Sequence, residues 1–405
     1  MFVGWDWASE SHDVTVIDNA GRMVTRFSLS HDEAGITSAI RRLSELGAPD
    51  EVPVAIESSC GQIVDRLLEA GLTVYAVHPN SFNAARPRWG ASRAKSDPGD
   101  SYKLADFLRS DVHRLRQLAR MDGATADLRA LSRERDDLVA ARVGAVNQLA
   151  ALLAHQWPGA ANVFARLDSD IALCFLEDYP TPVSAEHLGP SRMAQFCRRH
   201  SYSGRRSPEV LLERLREAPS ATGGLSPEVL SECVRARVRA LRGLLRATED
   251  IEASMKTRLA EHPAAQLLAA MPRIGEVNLA QIVAEVLPIL ARAASVEQAG
   301  AEIGACPVTK ASGHGLSVHF RWAANSRARQ ALSTFADNSR HASPWAEQLY
   351  REARRRGKRH PHAIRILMRA WLRVMWACLE TGVGYDPSLH GAEQRLNRLD
   401  TTDAA

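Results

Sequence analysis

Along residues 1–118 the apolar positions switch between a period of two and a period near three and a half. Phe2 to Ala8, His12 to Asp18 and Met23 to Leu29 alternate as strands. Asn19-Ala20-Gly21 supplies the residue types of a tight turn between the second and third. Ile36, Ile40 and Leu43 then share one helical face through about Glu45, with Ser30 or Asp32 placed to cap it. Val52 to Ile56 reads as a buried strand, Gly61 to Ala70 as a helix, and Leu72 to Val77 as a further strand.

The resulting order, βββαβαβ, predicts an α/β ribonuclease-H-like (RuvC-like) domain over 1–118. Its expected sheet order is 3-2-1-4-5, which makes the first and fourth strands neighbours. A doubly wound nucleotide-binding sheet is the competing topology. Against it, no glycine-rich phosphate loop follows the first strand.

The pattern over 119–260 is helical. Leu131, Leu138, Ala145 and Leu152 recur every seven residues. Leu230, Val234, Val238, Leu241, Leu245, Thr248, Ile251, Met255 and Leu259 recur at spacings of three and four. Two long helices pairing as an antiparallel coiled coil are expected, with Arg135 and Arg142 interrupting the first seam. Between them, 158–226 is rich in Pro, Ser, Gly and Arg and reads as a partly ordered insertion. A mainly α domain is expected over 261–389. Pro272-Arg273-Ile274-Gly275 between two helical stretches resembles a helix–hairpin–helix element, whose backbone N–H groups could hold a phosphate. Ile364, Leu367, Met368, Trp371, Met375 and Cys378 form one apolar helix face, read as core. The polar stretch 390–405 reads as a disordered tail.

Charge adds an asymmetry to this picture. The net charge is only +4, yet Lys310 to Glu380 holds 14 Lys/Arg against 4 Asp/Glu. A basic end on a more acidic body suits a nucleic-acid partner. The six cysteines have no metal-ligand spacing, so zinc is not expected and a reduced, cytoplasmic chain is. The start lacks the basic and apolar regions of a signal peptide, and no run approaches the length of a membrane span, so no membrane partner is expected.

Four carboxylates stand out. Asp6 interrupts an apolar strand between Trp5 and Trp7, and alternation turns it away from the face of Val3, Trp5 and Trp7. A lone buried Asp costs several kcal/mol unless paired or bound to a cation. Glu57 ends the fourth strand, while Asp97 and Asp100 are three apart at what reads as a helix start. Individually, Asp6 reads equally as a strand edge, Glu57 as a cap and Asp97 as an N-cap before Pro98. Together they are the set that two-metal phosphoryl transfer needs.

The segments VGWDWASESHDVTVID, VAIESS and AKSDPGDSYKLADFLR resemble the DEDD transposases of bacterial insertion sequences, a family that includes the bridge-RNA-guided recombinases. The later segments AAMPRIGEVNLAQIVAEV and AEIGACPVTKASGHGLSVHFRWAANSRARQAL are similar to that family's second, transposase-specific domain. The resemblance implies that Asp6, Glu57, Asp97 and Asp100 hold Mg²⁺, two ions in the expected case, with Mn²⁺ able to substitute. It also implies a catalytic serine in a Ser-Gly step, here Ser312-Gly313, with Ser317 as the second candidate. The implied reaction is attack of serine on a DNA phosphate, then resolution of the covalent link by a 3′-OH. The implied partners are donor and target DNA, a guide (bridge) RNA, and further copies of the chain in a dimer or tetramer associated with the nucleoid. Lys95, Arg327 and the run Arg351, Arg354, Arg355, Arg356, Lys358 and Arg359 are the candidate nucleic-acid contacts. Two alternatives stay open: a structure-specific nuclease activating water at the same carboxylates, and a non-catalytic nucleic-acid scaffold.

Overall fold

The computed structural model describes residues 1–90, 97–219, 224–312 and 315–391, with the side chains of Asp97, Pro98 and Leu316 excepted. Lys95 and Gly313, both singled out above, lie outside the described residues, as does 392–405. The chain divides into two compact units, Met1–Asp122 and Gly123–Ala405.

The first unit is built on five strands: β1 (Phe2–Trp7), β2 (Ser11–Ile17), β3 (Met23–Ser30), β4 (Val54–Ile56) and β5 (Val74–Ala76). Their order is β3-β2-β1-β4-β5, as the sequence pattern predicts. β1 runs antiparallel to β2 and parallel to β4. Helices α1 (Glu33–Ser44) and α2 (Gln62–Glu69) cover one face. Asp32 is the cap chosen at α1, accepting from the Gly35 N–H. Val3, Trp5, Val14, Val16, Val54 and Ile56 pack there against Ile36, Leu43, Val64 and Leu67. Helices α3 (Pro79–Ala85) and α4 (Asp97–Asp111) cover the opposite face, over Ala55, Val77, Phe82, Leu104 and Leu108.

The second unit opens with α5 (Gly123–Gln156), which pairs with α10 (Pro227–Glu261). Arg135 bonds Glu252, Gln148 accepts from Arg237, and Asp127 meets Arg258, so the two helices run antiparallel. The α10 stripe is as predicted, with Leu230, Val234, Val238, Leu241, Thr248, Met255 and Leu259 buried. The α5 seam differs. Its buried positions are Thr125, Leu128, Ser132, Leu149 and Leu153, and the seven-residue series only flanks them. Of the two arginines in the seam, Arg135 bridges to Glu252 of α10 and Arg142 turns to Asp168. By length and composition alone α5 is long and apolar enough to cross a membrane, contrary to the expectation that no run is. Leucines and valines of its C-terminal half supply most of that apolarity, and Arg142, Asn147 and Gln148 keep it from being an unbroken run.

The insertion is also more regular than the composition implies. It folds as α6 (Pro158–Asn162), α7 (Asp170–Asp178), α8 (Pro190–Arg199) and α9 (Pro208–Glu217). Trp157, Phe164, Phe175 and Phe196 are buried with Leu149, Leu153, Val234 and Val238 in one core. Three of its six prolines, Pro158, Pro190 and Pro208, sit in the first turns of α6, α8 and α9, where a missing N–H costs nothing.

The rest is mainly helical: α11 (Pro263–Leu268), α12 (Glu276–Gln281), a π-helical turn (Ile282–Val286), α13 (Leu287–Arg292) and α14 (Val296–Ile303). A hairpin of β6 (Val308–Ser312) and β7 (Gly315–His319) follows, then α15 (Ser326–Ser339), α16 (Pro344–Arg355) and α17 (His360–Thr381). The α17 stripe is buried as predicted, with Trp371 donating to Ser339 Oγ at 2.8 Å. Leu128, Met255 and Leu259 belong to the same core as Trp371, so the ends of the long helices pack with the C-terminal helices. Within the stretch read as a tail, the His390 ring packs 4.4 Å from that of Trp345.

Candidate active site

Gly4 explains how α4 meets the sheet. A Cβ there would lie 1.9 Å from the Ser101 carbonyl oxygen and 2.5 Å from the Ala105 nitrogen, so α4 crosses directly over β1. Buried Ser101 Oγ and Thr15 Oγ1 share a hydrogen bond at 2.7 Å. At the far end of α4, Arg109 reaches the Asn19 carbonyl in the β2–β3 turn, beside the start of β1. Thus α4 runs against β1, and its first turn overlies the strand's C-terminal end.

Asp6 is at that end. Strand alternation puts it on the face of Gly4, under α4, and away from the Val3–Trp5 core. In the parallel register Trp5 pairs with Ile56, so Glu57 follows β4 one step on, as Asp6 follows Trp5. Asp13 lies directly across from Asp6 and accepts from Ser28 Oγ at 2.7 Å. This carboxylate is not among those expected from sequence, although the alternation in HDVTVID gives Asp13 the same face as Thr15. Asp97 opens α4, and its side chain is outside the described residues.

Asp100 is already paired with two cations. It is 3% exposed. Arg86 donates to both of its oxygens, at 3.0 and 2.8 Å, and Lys103 to one at 3.0 Å. Burial pushes the Asp100 carboxyl up, but the hydrogen bonds and charges of Arg86 and Lys103 outweigh it and hold the group below its ordinary value. The same 3-10 turn, Arg86–Trp89, is tied along α4 by Arg88 to Asp111 and Trp89 to Asp106, each at 2.7 Å. Among the described residues no group of three or more His, Cys, Asp or Glu is close enough to hold a metal ion. The oxygen donors near the sheet end suit a hard divalent cation by type. Asp100 fits such a role only after release from its two cations.

The serines lie in the second unit. Ser312 ends β6 and pairs with Gly315 across the hairpin, while Lys310 pairs with Ser317. Alternation therefore sets Lys310, Ser312, Ser317 and His319 on one face of an exposed ribbon. Ser317 Oγ is 2.9 Å from His319 Nε2, a hydroxyl beside a base, and 3.5 Å from the Lys310 carbonyl. The signal for this pair in the sequence is the two-residue spacing of Ser and His within a strand.

The basic candidates divide. Arg327 is held by Asp136 and Asp137 at 3.8 and 3.4 Å. Arg351 and Arg356 are paired with Glu347 and Glu352. Arg354, Arg355, Lys358 and Arg359 have no carboxylate partner among the described residues, and they span a helix end and a turn at Gly357 rather than one helix.

Comparison with known proteins finds two matching regions in the chain. Residues 3–158 match the DEDD transposase family of IS110, and residues 265–351 match the transposase family described as IS116/IS110/IS902. A Streptomyces coelicolor protein described as a mini-circle putative transposase for IS117 is 30% identical over 402 residues, covering 95% of each chain. The chain belongs to the IS116/IS110/IS902 family of transposases. A 42 kDa protein of insertion element IS900 from Mycobacterium paratuberculosis is 26% identical over 395 residues, 96% of this chain and 98% of its own. A 43.6 kDa protein of IS110 from Streptomyces coelicolor is 26% identical over 397 residues, 95% of each. As a family transposase the chain acts in moving insertion-sequence DNA.

Proposed function

We propose that this transposase cuts and joins DNA by metal-dependent phosphoryl transfer, with a carboxylate centre in a ribonuclease-H-like first domain and a serine nucleophile in the β6–β7 hairpin. The observation that carries the proposal is the shared end of β1 and β4, where Asp6 and Glu57 leave neighbouring parallel strands beneath the first turn of α4. Asp6, Glu57 and Asp97 would hold Mg²⁺. The bound ion would supply charge neutralisation at the scissile phosphate and activation of the attacking oxygen. Asp100 would join them only on exchanging Arg86 and Lys103 for metal; otherwise it positions α4.

The resemblance of the distal block favours Ser312 as the nucleophile. Its hydroxyl oxygen bonds to phosphorus, the deoxyribose oxygen leaves, and a 3′-OH later displaces the serine. A second reading gives that part to Ser317, because His319 Nε2 is already in range to take the hydroxyl proton. The domain division 1–118, 119–260, 261–389 follows the same reading, as do donor and target DNA, a guide RNA and self-assembly through the long helices.

The test is to incubate the protein, cognate RNA and element-end DNA with Mg²⁺ and look for a protein–DNA adduct that survives denaturation. Ser312→Ala should abolish the adduct and lower strand transfer on the order of a thousandfold. Adduct lost in Ser317→Ala but kept in Ser312→Ala would move the nucleophile. Full cleavage in both variants, without adduct, would leave a water-activating nuclease instead.

A further inference from the structure

The groove between α15 and α17 contains cations that no carboxylate among the described residues neutralises. It is open, with a volume of about 600 Å³, and is lined by Ser326, Arg329, Gln330, Ser333, Thr334 and Asn338 from α15 and by Arg365 and Met368 from α17. Asp337 also lines it, but that carboxylate is committed to Arg340 at 2.7 Å and faces His360 at 3.9 Å. Neither Arg329 nor Arg365 has a carboxylate partner among the described residues. Both guanidinium carbons stand 5.0 Å from the centre of the Phe320 ring, so they are no more than twice that distance apart. Burial lowers the pKa of Arg365 from its ordinary value, and the charge of Arg329 lowers it further. Burial likewise lowers that of His362, followed by the charges of Arg365, Lys358 and Arg369. Lys358 and Arg369 are also without carboxylate partners among the described residues, and positions 362, 365 and 369 share one side of α17.

Next to this groove is an aromatic surface. Trp322 is 83% exposed, and its ring meets that of Phe320 edge-on at 4.8 Å. An indole left almost wholly in water beside a pair of unneutralised guanidiniums is the combination used to hold unpaired bases and their phosphates. Hydroxyl and amide side chains along α15 add donors for phosphate or sugar oxygens.

We propose that the α15–α17 groove seats a single nucleic-acid strand, with backbone phosphates on Arg329 and Arg365 and a base stacked on Trp322. The proposal rests on the transposase reading only in expecting nucleic acid as the partner, and not on the carboxylates or the serines. An acidic peptide would satisfy the arginines but would leave the exposed indole without a purpose.

The test is fluorescence anisotropy of labelled single-stranded DNA and single-stranded RNA of one sequence, across a salt series, with the full-length protein. Arg329→Gln with Arg365→Gln should weaken binding tenfold or more and lower the salt slope by about 0.7 for each phosphate no longer held. Trp322→Ala, a change at an exposed side chain, should weaken binding on the order of tenfold with an unchanged melting curve. Whichever of the two labelled strands loses affinity identifies the occupant as DNA or RNA. Wild-type affinity in both variants would overturn the groove assignment and leave the transposase reading intact. So would displacement of the strand by polyglutamate at equal charge concentration. If the unmodified protein binds neither strand, the expectation of a nucleic-acid partner fails with it.

Discussion

A carboxyl group that is 3% exposed and accepts three hydrogen bonds from two cations ties its surroundings to pH. The folded-state pKa of Asp100 lies below the ordinary value, and so does that of Asp111, which is held down first by its hydrogen bond from Arg88. A group depressed in the folded state contributes stability that is present above its unfolded pKa, near 4, and is lost as pH falls through the folded value. The first unit should therefore lose stability progressively below about pH 4, and Asp100→Asn should flatten that acid limb while lowering stability at neutral pH. Denaturant titrations at a series of pH values measure both; an unchanged acid limb in the variant would refute the assignment. At this scale the sequence is legible in part. Asp6 is conspicuous because an ionisable residue interrupts an apolar alternation. The pairing of Asp100 with Arg86 is hidden, because it needs a turn to fold back across 14 residues and lie along α4. Ser312 is visible only through resemblance, since nothing in a polar loop separates a nucleophile from a turn residue.

Elements are legible where one face alone is buried. The stripes of α10 and α17 follow their periods closely, because each helix buries a single face along its length. The insertion defies its composition because prolines that look like breakers begin helices. The seam of α5 departs from its seven-residue pattern for a different reason. Its first half faces the C-terminal helices as well as α10, so its buried positions answer to two partners. Glu285 is where this is clearest. It is 2% exposed within the π-helical turn, accepts from Arg133 Nε at 2.7 Å, and has Arg129 Nε at 3.7 Å. Arg129 also donates to the Ala284 carbonyl at 3.0 Å. Removing the buried charge takes the carboxylate from beside two guanidiniums at the edge of a core. Allowing for the solvent around Arg133, Glu285→Gln should cost about 3 kcal/mol. A loss under about 1 kcal/mol in denaturant titration would show that the pairing does not hold α5 to the turn.

The whole molecule joins two units with separate cores and different chemistry. Met1–Asp122 carries the four carboxylates of the proposal, and Gly123–Ala405 carries the hairpin serines and the basic surplus between Lys310 and Glu380. Each unit buries its own apolar residues: a sheet between helices in the first, and the clusters around Trp371 and Phe175 in the second. Cooperativity follows shared burial, so thermal unfolding should resolve into at least two transitions rather than one. Single variants can assign them. Gly4→Ala forces a methyl group to within 1.9 Å of the Ser101 carbonyl, so the sheet and α4 must part. It should lower the transition of the first unit by about 3 kcal/mol or more. Glu285→Gln should lower only the transition of the second unit. Because the two sites share no core, their effects should add within about 0.5 kcal/mol in the double variant. A single transition shifted equally by both variants would mean that the two units fold as one cooperative body, and the separation of the carboxylate chemistry from the serine chemistry would lose its structural basis.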